Sequence, residues 1–195
     1  LETYMVSEKN VCILKLRIGN IQKTNAIEKG LTTLMIEWKY IEGVKQYFKG
    51  IKFDLILYPT PPITLSGVVK YIKKRDKAVT YLMLKDIFPQ NAVDIQMLSK
   101  TGIKGGLYRY FRKKEKMLYA LSDHIGGMSQ ANVDYVLRHN PEIDTSRVEI
   151  CPNSIEVQEL QIGDGERDEI RRKYQIPLNK TVFVYGGNLG KPQGI

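Results

Sequence analysis

A hydroxyl, a carboxylate, a second hydroxyl and an amide recur along this sequence in one kind of place, just after a short apolar run. Thr60 follows Asp54–Tyr58 (DLILY), Asp86 follows Val79–Leu84 (VTYLML), Ser129 follows His124–Met128, and Asn153 follows Arg147–Cys151. A further run, Thr181–Tyr185, leads into Gly186-Gly187-Asn188-Leu189-Gly190. If these runs are strands of a parallel sheet, the groups after them all gather along one carboxyl edge, where open α/β sheets bind ligands. Glycines after a strand let backbone N–H groups approach phosphate oxygens, and Lys191 can add a cation. The spacing is neither G-x-G-x-x-G nor a Walker loop, so a nucleotide diphosphate and a plain turn fit it equally, and nothing supports nicotinamide or ATP. Singly, each group has a structural use: Ser129 as a helix cap, Asn153 as a turn residue, Thr60 ahead of a proline turn. Their shared placement is what points to a site.

The elements that must position these groups follow from periodicity. Apolar residues at Ile27, Leu31, Leu34, Met35, Trp38, Ile41, Val44 and Phe48 step by threes and fours and predict a helix about 33 Å long. Trp38 lies on that apolar face and is expected in the core. Val11–Ile18 alternates as a strand does. Helices are predicted from Pro61 to about Lys74, over Ile103–Leu121, from Ser129 to about His139, and over Asp164–Tyr174. Strands alternate with helices, and the strands are short, apolar and doubly covered in character. The expected class is α/β, a parallel sheet with flanking helices.

The charge is basic, 30 Lys plus Arg against 21 Asp plus Glu, a net +9, which suits an anionic partner. Arg109, Arg112, Lys113 and Lys116 form a helical stripe suited to an anionic membrane surface, or simply to a solvated face. A second basic group is Lys70, Lys73, Lys74, Arg75 and Lys77. No helix-turn-helix or zinc signature occurs, so nucleic acid is not expected as a partner. Cys12 and Cys151 give no metal spacing and fit reduced thiols, as in the cytoplasm. The expectation is no metal and no cofactor.

Five segments, in order, carry a resemblance: Phe53–Leu65, Leu84–Gln90, Ala120–Val133, Val148–Glu156 and Phe183–Ile195. Together they resemble glycosyltransferase family four, most closely bacterial members that build surface polysaccharides. Pro152-Asn153-Ser154-Ile155-Glu156 is similar to that family's hinge motif, with Ser154 where glycine is usual. Asn188 stands where the family has Arg, and Gln193 where Lys is common.

The resemblance implies a GT-B fold of two Rossmann-like domains. The first strand and glycine loop would precede residue 1, and most of the donor domain would follow Ile195. On that pattern residues 1–155 are part of an acceptor-side domain, 156–178 a linker and helix, and 179–195 the start of the nucleotide-sugar domain. The implied activity is retaining, metal-free transfer of a sugar from a nucleotide-sugar to a glycan or polyprenyl-diphosphate-linked acceptor, at the inner face of the plasma membrane. Asp86 is then the catalytic or orienting carboxylate. Thr60, Ser129 and Asn153 touch the acceptor, and Gly187, Asn188 and Lys191 the donor phosphates. The chain by itself is expected to be nearly inactive. The alternatives are a basic binding module for membrane or nucleic acid, or an inactive gene fragment.

Overall fold

The computed structural model describes residues 2–18, 26–157, 163–187 and 189. The chain forms two compact units, Leu1–Pro152 and Asn153–Ile195.

The first unit is built on a parallel sheet with strand order β3-β4-β5-β6: β3 Leu55–Thr60, β4 Val79–Leu84, β5 His124–Gly127 and β6 Val148–Ile150. The register aligns Thr60, Leu84, Gly127 and Ile150 in one row across the carboxyl edge. Helices α2 (Ser66–Asp76), α3 (Gln90–Asp94), α4 (Gly102–Leu121) and α5 (Gln130–His139) make the crossovers. Consecutive strands lie side by side and parallel crossovers are right-handed, so these helices fall on one face of the sheet. Beneath them Tyr58, Leu82, Leu84 and Ile125 pack with Leu118, Tyr119 and Val136 as the core.

The opposite face is not covered by the described residues of this unit, contrary to the expectation of double coverage. Leu55, Leu57 and Val79 are 54%, 57% and 47% exposed. The strands are apolar on both faces, and that composition alone cannot show which face a helix occupies.

A buried network ties α4 to the sheet. Tyr58 Oη lies 2.6 Å from Ser122 Oγ, which donates to Leu118 O at 2.7 Å, and burial pushes the Tyr58 phenol up to about 12. At the amino edge Lys73 Nζ donates to Asp123 Oδ1 at 2.8 Å, while Thr80 donates to Asp123 Oδ2 from both N–H and hydroxyl at 2.9 Å. Burial works against the Asp123 charge, but these bonds hold the carboxyl below its ordinary value.

The long helix α1 (Ala26–Tyr47) packs on α2 through Ile41, Val44, Val68 and Ile72. Ile41 and Val44 lie inward as expected, but one to two turns earlier the buried stripe departs from the expected one. Ile36 and Val44 are buried, whereas Met35 and Trp38 are 51% and 59% exposed. Two unforeseen features cause the shift. An antiparallel hairpin of β1 (Tyr4–Glu8) and β2 (Val11–Lys15) packs against α1 at Gly43, and Glu37 Oε1 accepts the Gly67 N–H at the start of α2. Each draws a different side of the helix inward, and Trp38 lies off both.

In the second unit α6 (Asp164–Lys173) is followed by a loop gathered on Arg171, which donates to the carbonyls of Pro177, Leu178 and Lys180. Thr181–Tyr185, expected as a strand, is not one. No strand among the described residues of this unit can pair its backbone, and Phe183 and Val184 are 93% and 88% exposed.

Candidate functional site

The carboxyl edge of the sheet in the first unit is where the chemistry-bearing loops leave. Thr60 ends β3, is 2% exposed, and donates from Oγ1 to Asp86 O at 3.4 Å. That bond hooks the loop after β3 to the loop after β4. The Asp86 side chain is therefore held only through its own backbone: its carboxylate is exposed and meets no hydrogen-bond partner or cation among the described residues. Lys85 beside it is exposed as well.

Ser129 follows β5 at the same edge, where its role is structural. Its Oγ accepts the Asn132 N–H at 3.3 Å and donates to Asn132 Oδ1 at 3.0 Å, capping α5. Thus Thr60, Asp86 and Ser129 share one edge, and of the three the Asp86 carboxylate is the free one. Asn153 and Gly187 belong to the second unit, where both are exposed. A Cβ on Gly187 would lie 3.0 Å from Tyr185 Oη, so glycine suits the close approach of that ring. Asn188 and Lys191 lie outside the described residues.

Three groups on this edge escaped the sequence reasoning. Thr64 Oγ1, Gln90 Oε1 and Asn91 Oδ1 are buried oxygens with no hydrogen-bond partner among the described residues. Thr64 follows β3, and Gln90 and Asn91 open α3 after β4. Gln90 Nε2 donates to Asp94 Oδ1 at 2.6 Å, which fixes the amide so that its oxygen is the unsatisfied end. Buried polar atoms are nearly always paired, and acceptors left unpaired suit a ligand that brings donors. Polar residues in the first turn of a helix after a strand were a usable signal, but Pro89-Gln90-Asn91 looks like an ordinary turn.

The basic stripe on α4 is divided by the structure. Arg112 does not face outward as a free cation. It donates to Glu115 Oε2 at 2.5 Å, to His139 O at 3.0 Å and to Asn140 Oδ1 at 2.6 Å. It thereby closes the carboxyl end of α5 and neutralises a carboxylate only 5% exposed. Burial still pushes the Glu115 carboxyl up, against the pull of Tyr119 and Arg112. Lys116 pairs with Glu142 at 3.0 Å in a solvent-exposed ion pair. Arg109 and Lys113 are exposed without partners among the described residues, next to Leu107, Tyr110 and Met117, which are 48%, 40% and 36% exposed. This mixed basic and apolar face suits a lipid surface better than a purely charged one. No helix among the described residues is long and apolar enough to cross a membrane. Nor, among them, do three or more His, Cys, Asp or Glu cluster to hold a metal.

No family model matches the chain. It is similar to a protein of Escherichia coli (strain K12) provisionally named colanic acid biosynthesis glycosyl transferase WcaI. The two are 22% identical over 145 residues, which is 74% of this chain and 35% of that protein. The chain thus spans about a third of the length of the curated relative it matches, and the similarity is distant.

Proposed function

We propose that the chain is the acceptor-side part of a glycosyltransferase, one that moves a sugar from a nucleotide-sugar to a glycan acceptor in polysaccharide biosynthesis. The observation that carries this reading is the carboxyl edge of β3 and β4. An unpaired carboxylate, Asp86, stands there on a loop pinned by Thr60, near the segments that hold three unsatisfied buried oxygens. A sugar acceptor brings hydroxyl donors, which is what the exposed Asp86 carboxylate lacks. The distant similarity to a glycosyl transferase supports the same activity.

In this reading Asp86 orients the attacking hydroxyl of the acceptor or accepts its proton. Thr60 positions the Asp86 loop. Ser129 positions α5. Donor diphosphate binding is assigned to the second unit through the Gly187 loop with Asn188 and Lys191, and an acceptor contact by Asn153 is proposed from the resemblance alone. Retaining, metal-independent transfer within a GT-B fold, on a lipid-linked acceptor at the cytoplasmic membrane face, belongs to the same proposal and comes from the resemblance. The exposed Arg109 and Lys113 are the residues for that surface, in place of the whole stripe.

The test is transfer of radiolabel from a panel of uridine- and guanosine-diphosphate sugars to acceptors in membranes from cells producing this chain together with the donor-side part of the enzyme. Label should reach a lipid or polymer fraction, and replacing Asp86 by Asn should lower turnover more than it weakens donor binding. Equal loss of both would make Asp86 structural.

A further inference from the structure

Trp38, the one tryptophan of the chain, is 59% exposed on α1. It borders a groove of about 280 Å³ between β2 and α1. Gly43 makes the groove possible. A Cβ there would fall 2.6 Å from Leu16 Cδ2, so glycine lets strand and helix approach. Lys39 Nζ donates to Arg17 O at 3.1 Å and fixes the strand end against the helix.

Arg17, Gln46 and Glu42 line the same groove. The Arg17 guanidinium and the Gln46 amide have no side-chain partner among the described residues. Glu42 uses Oε1 to accept from Lys45 at 2.9 Å and keeps its other oxygen free.

We propose that this groove is a saccharide-binding site in which Trp38 is the stacking platform and Arg17, Gln46 and Glu42 bind hydroxyls. A pyranose has a C–H face that packs on the electron-rich face of an aromatic ring. Its rim of hydroxyls needs both donors and acceptors, and the groove supplies both. An apolar partner would leave Arg17 and Gln46 covered and unpaired, at about 1–3 kcal/mol each. A polyanion would meet the Glu42 carboxylate. The volume is at the low end of small-ligand pockets, roughly 300–1,000 Å³, which suits a short saccharide. The inference rests on the proposed function in one respect, that saccharide is the ligand class this protein handles.

Because Trp38 is the single tryptophan, its fluorescence reports on this groove alone. The chain is titrated with maltotriose, lactose and chitotriose, without any nucleotide-sugar. The expected result is a saturable blue shift with protection from acrylamide quenching for at least one of the three. Arg17→Ala and Gln46→Ala, with far-UV circular dichroism unchanged, should each weaken that saccharide by about fivefold, one hydrogen bond's worth. An emission spectrum indifferent to all three overturns the proposal. So does a shift that follows protein concentration instead of saccharide, which would mark the groove as a self-association surface. Saccharide binding here without sugar transfer in the membrane assay would keep this site and remove the transferase reading. Transfer with a silent Trp38 would do the reverse.

Discussion

Replacing Arg112 by Ala separates two uses of one basic residue. If Arg112 served a membrane surface, its loss would leave the fold intact. The structure instead gives it to Glu115, whose side chain is 5% exposed while that of Arg112 is 21% exposed. Removing one partner of such a pair costs roughly 3–5 kcal/mol. Tyr119 Oη still donates to Glu115 Oε1 at 2.7 Å, and the carboxyl, already pushed up by burial, can take a proton. Those two reliefs bring the expected loss to roughly 2–3 kcal/mol at neutral pH. With a urea slope of about 2 kcal/mol per molar, the unfolding midpoint should fall by about 1–1.5 M. The assay is urea denaturation followed by circular dichroism at two pH values. The raised Glu115 pKa favours the protonated form in the fold, so the penalty of the variant should shrink as pH falls toward about 5. A midpoint change within about 0.25 M at neutral pH, as for an ordinary surface substitution, would refute the structural role.

Three further outcomes follow from the same geometry. Asp123 has a lowered folded pKa, so its stabilisation is present above the unfolded value and lost as pH falls through the folded one. Asp123→Asn should therefore flatten the stability loss below about pH 4 in acid unfolding scans, and an unchanged acid limb would contradict this. Gly126 faces Cys151 and Tyr81, and a Cβ would sit 2.5 Å from Cys151 Cβ. Gly126→Ala should cost about 1–3 kcal/mol by thermal denaturation, and a neutral result would mean the open sheet face yields. Arg109→Glu with Lys113→Glu should reduce co-sedimentation with anionic vesicles by tenfold or more, at about 1 kcal/mol per basic residue, without altering stability. Unchanged partition would remove this face from the membrane proposal.

The parallel sheet was legible because its strands are short apolar runs separated by helix-length segments. β4 runs over Val79–Leu84 as its β-branched and aromatic pattern predicts, and the Ser129 cap follows from a hydroxyl ahead of an apolar-periodic segment. Trp38 was misplaced because periodicity gives one stripe per helix, whereas α1 is drawn by the hairpin on one side and α2 on another. The β1 strand was hidden because Tyr4–Glu8 is short and half polar and acquires its meaning from pairing with Val11–Lys15. Thr181–Tyr185 shows the converse: strong strand propensity forms no strand without a neighbour to bond. At the edge, Thr60 and Asp86 were legible from position after a strand. Thr64, Gln90 and Asn91 were not, since missing partners are a property of packing and leave no mark in composition.

Sugar transfer itself is the most direct measurement. Membranes from cells producing this chain together with the donor-side part it is proposed to work with should move label from one of the nucleotide-sugars to a lipid or polymer fraction, and the Asp86→Asn form should do so far more slowly at undiminished donor affinity. Absence of transfer from every donor in the panel, or equal rates with and without the Asp86 carboxylate, would contradict the account.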